Sequence, residues 1–195
     1  AHFFAFYLIA NVLTDPKRGE RTISIVESAR LTRILPMATL NSGILISLIT
    51  VAVILFFLWR TSAGFEVRAA GYNQEASHYA GISLRKQVLR VFLIGGAIAG
   101  LAGAVQVMGR PPYYAVMSGL PQLVNLGFDG IGVAMIGRNH PIGIVFAAIF
   151  FGGLMTGGRI MQFDPGVPFE LVRVIEGVII IALAVPELRR LISRF

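Results

Sequence analysis

The chain has 195 residues, 55% hydrophobic and 14% charged, with a net charge of +7 and a mean hydropathy of +0.74. Soluble domains carry about 25% charged residues, so this deficit, with several long apolar runs, excludes an ordinary soluble domain and points to an integral membrane protein. The sequence has no cysteine, which excludes disulfides, thiol catalysis and Cys-ligated metal. The basic residues lie in short segments between apolar runs, where membrane topology and not nucleic acid accounts for them.

In chain order, residues 1–13 (AHFFAFYLIANVL) are apolar but shorter than the roughly 20 residues a crossing needs. They read as the second half of a cut helix, in a chain that is a fragment of a longer protein. Residues 14–36 are polar, with turn signals at Asp15-Pro16 and Gly19. Within them Ser24 to Ile34 has the pattern of a short amphipathic helix on the membrane surface, with a solvated loop as the alternative. Leu40–Trp59 has no charge and is about 30 Å long as a helix, which matches the hydrocarbon thickness. Trp59 and Arg60 close it as interface anchors.

The polar stretch Arg60–Gln87 then returns the chain to a third apolar run, Val88–Val107. Arg90 lies near the start of that run, where it can snorkel to the headgroups. Gly96 with Gly100, and Gly95 with Ala99 and Gly103, form small-residue ladders suited to close helix packing. Residues 108–123, with Pro111-Pro112, Gly119 and Pro121, cannot continue a regular helix.

The run from Gly130 to Gly137 is too short to span and predicts a half-helix of about 12 Å. Asp129 stands before it in an N-cap position. Gly137 ends it, Arg138 to His140 turn the chain, and Pro141 opens the next helix at its first position. Broken helices line cavities in transporters, so Asp129 is either a helix cap or a polar contact on a substrate path. Ile142–Gly157 is a fourth apolar run, followed by a turn-rich loop over 158–168 that holds Arg159. The fifth, Phe169–Val185, carries Arg173 and Glu176 on one helix face, where they can pair. Pro186 ends it before a basic amphipathic tail. The fold class is therefore all-α: a polytopic transmembrane helix bundle with one or more broken half-helices. Basic residues divide almost evenly between the two sets of loops, so charge alone does not orient it.

Residues 60–87 carry the pattern Arg60-Thr61-x-x-Gly64-Phe65-x-x-Arg68-Ala69-x-Gly71-x-Asn73-x-x-Ala76-x-x-x-x-Gly81-Ile82. This pattern resembles the permease subunits of bacterial ABC importers for nucleosides and simple sugars, relatives of the ribose and branched-chain amino-acid permeases. GGAIAGLAG at Gly95–Gly103 and GFDGIGVAMIGRNHP at Gly127–Pro141 look like that family's next two signatures, in the same order. The resemblance implies one permease domain over 1–195, the C-terminal part of a longer permease, with a cytoplasmic coupling loop at 60–87 on which an ATPase subunit docks. The coupling helix falls near Gln74–Ala80. Asn73 can cap it, Glu75 suits the positive end of its dipole, and Gly81 can terminate it. The coupling residues are expected to be Arg68, Gly71, Asn73, Gln74, Glu75, Ala76, Gly81 and Ile82. Asn125, Phe128 and Asp129 are candidates for the substrate path, and a base could stack on Phe128 or Tyr113.

The implied partners are the ATPase, a second permease subunit (like or related), an extracytoplasmic solute-binding protein and the lipid of the cytoplasmic membrane. No cofactor is implied on this chain, since ATP and Mg²⁺ belong to the ATPase. Nucleoside stands ahead of sugar because Gly64-Phe65-x-x-Arg68-Ala69 and Tyr79–Ile82 look closest to that branch. The alternative is a secondary transporter or channel with an ion or proton site at the broken helix near Asp129. An enzyme ranks third: the sequence has no HExxH or GxSxG, and His2, His78 and His140 lie in separate segments.

Overall fold

The computed structural model describes residues 2–16, 19, 21–34, 40–109, 111, 114–117, 126–161, 171, 174–175 and 177–179. The expectations for Tyr113, Asn125, Arg173, Glu176 and the tail after Pro186 lie outside these residues. The chain divides into two units, Ala1–Val124 and Asn125–Phe195.

The first unit opens with α1 (His2–Tyr7), which runs on as a π-helical turn over Leu8–Val12. The Thr14 hydroxyl donates to the Ala10 carbonyl at 2.7 Å and so closes the end of that turn. Further along come two long helices, α2 (Gly43–Arg60) and α5 (Leu84–Gly109), with the shorter α3 (Ser62–Tyr72) and α4 (Gln74–Tyr79) between them. At 1.5 Å per residue, α2 is about 27 Å long and α5 about 39 Å. Both are long and apolar enough to cross a membrane, as is the stretch Pro141–Gly158 of the second unit. Their apolar side chains face outward: Phe56 is 64% exposed and Phe92 75%. A water-soluble helix would bury such residues, whereas a helix in lipid presents them. Among the described residues no strand forms, only isolated bridges.

Asn41 joins α2 to α5 at one end. Its Oδ1 accepts from the Gly43 N–H at 2.9 Å and its Nδ2 donates to the Gly109 carbonyl at 2.8 Å. A Cβ at Gly109 would overlap the Asn41 amide, and one at Gly43 would sit 2.6 Å from both Asn41 Oδ1 and Val105. Asn41 thus brings the α2 start and the α5 end together only because both neighbours lack side chains.

The amphipathic helix expected over Ser24–Ile34 does not form. Only Glu27–Ala29 makes a 3₁₀ turn. The preceding backbone is used elsewhere: the Thr22 N–H donates to the Val116 carbonyl at 3.0 Å and the Ile25 N–H to the Tyr114 carbonyl at 2.9 Å. A helix would have to give up such bonds to residues far along the chain. Arg30 turns back over the Tyr114 ring, 4.6 Å from its centroid, and pairs with Glu27 at 3.2 Å.

In the second unit α6 (Leu126–Ile136) turns into α7 (Pro141–Met161). The turn is tight. Arg138 and Asn139 take φ of 52° and 55°, and a Cβ on Gly137 would lie 2.6 Å from the Ile144 nitrogen. Pro141 is the first residue of α7, as the sequence predicts. Two expectations are corrected. The half-helix begins at Leu126 and not after Asp129, so Asp129 lies inside the first turn and does not cap it. Arg159, expected in a loop, is helical because α7 runs on to Met161.

Candidate functional site

The candidate site is the polar stretch between α2 and α5. It starts at an elbow. Thr61 is extended (φ −116°, ψ 150°) and separates α2 from α3 by a single residue. Its hydroxyl donates to the Phe57 carbonyl at 2.6 Å and accepts from the Gly64 N–H at 3.0 Å. One side chain therefore closes the end of α2 and caps the start of α3. Gly64 is buried against the last turns of α2, where a Cβ would overlap the Phe57 carbonyl oxygen. Arg68, one turn further on, stacks its guanidinium over the Trp59 ring at 5.0 Å. Cation–π stacking and the Gly64 contact both hold α3 to the end of α2.

Asn73 makes the next joint in the same manner. Its N–H donates to the Ala69 carbonyl at 3.1 Å, ending α3, and its Oδ1 accepts from the Ala76 N–H at 3.0 Å, starting α4. Gln74 is the first residue of α4, and exposed Glu75 lies in its first turn, at the positive end of the dipole. Gly81 takes φ +77°. The Ile82 N–H donates to the Ser77 carbonyl at 2.9 Å and the Gly81 N–H to the His78 carbonyl at 3.0 Å. This pair of bonds is a Schellman ending, which needs a residue in the left-handed region. Ser77 is buried beneath α4, while Tyr72 and Tyr79 flank it at 90% and 91% exposure. Of the eight expected coupling residues, Arg68 and Gly71 lie on α3, Asn73 stands between α3 and α4, and Gln74, Glu75, Ala76, Gly81 and Ile82 lie on α4 or in the turn after it.

A groove of about 300 Å³ runs between α3–α4 and the start of α5, with Val67, Ala70, Gly71 and Gln74 on one side and Gln87, Val88 and Val91 on the other. It is bridged by a cluster that sequence reasoning missed. Glu66 Oε2 accepts from Gln87 Nε2 at 2.7 Å and from Arg90 Nη1 at 2.7 Å, and Gln87 Oε1 accepts from Arg90 at 3.2 Å. Gln87 is only 4% exposed. The hydrogen bond from Arg90, then that from Gln87, hold the Glu66 carboxyl below its ordinary range, with Lys86 adding a smaller attraction against the opposing effect of burial. Arg90 was expected to snorkel to lipid headgroups. It turns to Glu66 instead, since a charge at the foot of an apolar helix is better satisfied by a carboxylate in reach. The signal available in the sequence was an arginine near the start of the apolar run Val88–Val107, with two carboxylates, Glu66 and Glu75, in the preceding polar stretch.

Of the substrate-path candidates, Phe128 is 65% exposed on α6 and Asp129 is half-buried one residue on. The described residues hold no group of three or more His, Cys, Asp or Glu suited to a metal ion.

Long lipid-facing helices, joined through a capped polar elbow, define a polytopic α-helical membrane protein. The chain belongs to the family of branched-chain amino acid transport system / permease components, whose family model matches residues 1–184. It is 41% identical over 183 residues to the guanosine ABC transporter permease protein NupP of Bacillus subtilis, covering 91% of this chain and 51% of that protein. It is 35% identical over 192 residues to the nucleoside ABC transporter permease protein NupB of Lactococcus lactis, covering 94% and 52%. The glucose ABC transporter permease protein TsgB13 of Haloferax volcanii is 33% identical over 150 residues, covering 77% and 38%. The chain thus spans about half the length of the curated relatives it matches. No solved structure matches it.

Proposed function

We propose that the chain is part of the permease subunit of an ABC importer that carries nucleosides across the cytoplasmic membrane, and that α4 is the surface on which the ATPase subunit docks. The observation that carries the docking reading is the doubly capped α4. It is an exposed helix with both ends capped, set between the apolar helices α2 and α5. The reading of the solute as a nucleoside draws support from the two relatives named for guanosine and nucleoside transport, at 41% and 35% identity, against 33% for the one named for glucose.

In this mechanism no residue of the chain does covalent chemistry. Closure of an ATPase pair pushes α4, and the helix bundles of two permease subunits switch between outward- and inward-facing packings, a two-state change biased by nucleotide. A solute-binding protein delivers the nucleoside from outside. The test is reconstitution of the full-length permease with its ATPase and binding protein in liposomes, with radiolabelled guanosine and glucose as probes. ATP-dependent guanosine uptake is the expected result. Uptake that follows an ion gradient and needs no ATPase would overturn the reading, and ATP-dependent uptake of glucose alone would overturn the choice of solute.

A further inference from the structure

A groove of about 300 Å³ lies between α3–α4 and α5, with Val67, Ala70 and Gly71 facing Val88 and Val91 across it. What spans it is polar. Glu66 on α3 takes two hydrogen bonds of 2.7 Å from α5, one from Gln87 and one from Arg90. The cluster closes on itself through the Arg90–Gln87 bond at 3.2 Å, and the Gln87 side chain has almost no exposure to relax into. Charge-assisted bonds of this length are directional, so they fix orientation as well as distance. Where they are, α3 is attached to α2 by Thr61 and Gly64 and to α4 by Asn73, each without a spare residue.

We infer that Glu66, Gln87 and Arg90 are positioning residues that form a strut, making α3, α4 and the membrane helix α5 move as one body when α4 is pushed. The inference rests on the docking reading of α4 given above. Without the strut, no charge-assisted bond among those described joins α3 to α5, and α4 follows α5 through the turn at Gly81 to Ser83 and the weaker contacts across the groove. A push on α4 is then absorbed in the open groove and does not reach the bilayer.

The experiment uses the full-length permease assembled with its ATPase and binding protein in liposomes, with radiolabelled guanosine as probe. Spin labels are placed at Phe65→Cys on α3 and Ala99→Cys on α5, since the described stretch has no native cysteine. In the unmodified protein the label distance is expected to stay the same with and without nucleotide. In Glu66→Ala and in Arg90→Gln the distance should broaden or change with nucleotide. The ATPase should still copurify and hydrolyse ATP, and guanosine moved per ATP should fall about tenfold, within the range of couplings between sites. Arg90→Lys, which keeps a charged donor, should recover most of the yield, and so should the exchange of Glu66→Arg with Arg90→Glu. An unchanged distance and unchanged yield in Glu66→Ala overturns the strut. So does loss of assembly in both Glu66→Ala and Arg90→Gln, which would make the cluster a folding element only. Failure of the docking reading is separate and is seen in the unmodified protein, as an ATPase that neither copurifies nor drives uptake.

Discussion

The glycines at the joints and the glycines along α5 are used in opposite ways. At Gly64, Gly109, Gly137 and Gly143 an added Cβ would run into backbone or into the Asn41 side chain. At Gly95, Gly96, Gly100 and Gly103 it would meet nothing within 4 Å. Both sets look alike in the sequence, as small residues in or beside apolar runs. The first set is needed by this chain's own path, because two segments approach too closely for any side chain. The second leaves a smooth stripe on α5 that no described residue of this chain covers.

The largest effect is expected from Gly64→Ala. The added methyl group meets the Phe57 carbonyl, which cannot move without breaking the end of α2. The elbow should lose about 3 kcal/mol, the upper range for overpacking. A fall in the unfolding midpoint in detergent, together with loss of helical signal, would show it. An unchanged midpoint would mean that the α2–α3 approach is looser than the structure has it. Asn41→Ala should come next, at about 2 kcal/mol, since it removes both side-chain bonds, the one to the Gly109 carbonyl and the one from the Gly43 N–H.

Asn73→Ala and Gly81→Ala should each cost about 1 kcal/mol, the first by loss of a cap and the second by placing a Cβ in the left-handed region. Hydrogen exchange of the Ala76 and Ile82 amides reads each change locally. Equal protection in variant and parent would refute the cap geometry. Gly96→Ala sharpens the contrast from the other side. It should leave the fold of α5 intact, so any loss of assembly with other subunits would identify this stripe as buried in the complex.

The smallest effect is that of pH on Glu66. Its folded pKa is depressed, so its contribution to stability is fully present above the unfolded carboxylate value and is lost only as pH falls through the lower folded value. Stability of the parent should therefore decline in the acid range, and Glu66→Gln should flatten that decline. Parallel profiles for the two proteins would count against the pairing with Arg90.

Length and apolarity were enough to find α2, α5 and α7, because about 20 apolar residues in a row have few other uses. Their ends were harder to read. α5 starts at Leu84 and not Val88, because Arg85 to Gln87 have a loop-like composition but form the first helical turn. α6 begins before Asp129 because Gly127 and Gly130, which look like breakers, are tolerated within it. The caps of α4 at Asn73 and Gly81 were legible because they are local, a side chain or a φ value acting within four residues. Helix α3 was not, since its SAGFEVRAAGY mixes small and polar residues with no clear apolar face. The strut was hidden for a different reason. Glu66 and its partners are 21 and 24 residues apart, and only the turns between them at Asn73 and Gly81 bring them together.

The unequal lengths of α2 and α5 bear on the bilayer itself. Helix α5 exceeds α2 by eight residues, or about 12 Å. Half of this excess is the polar first turn Leu84 to Gln87, so the apolar runs of the two helices can still match one hydrocarbon thickness. Since Asn41 pins them level at one end, the whole excess emerges at the other, where Arg85 and Lys86 stand. Helix α5 therefore carries its extra length, polar at the tip, at the end beside α4. Lipids of different chain length should shift the height of α4 above the membrane while leaving the Asn41 end in place.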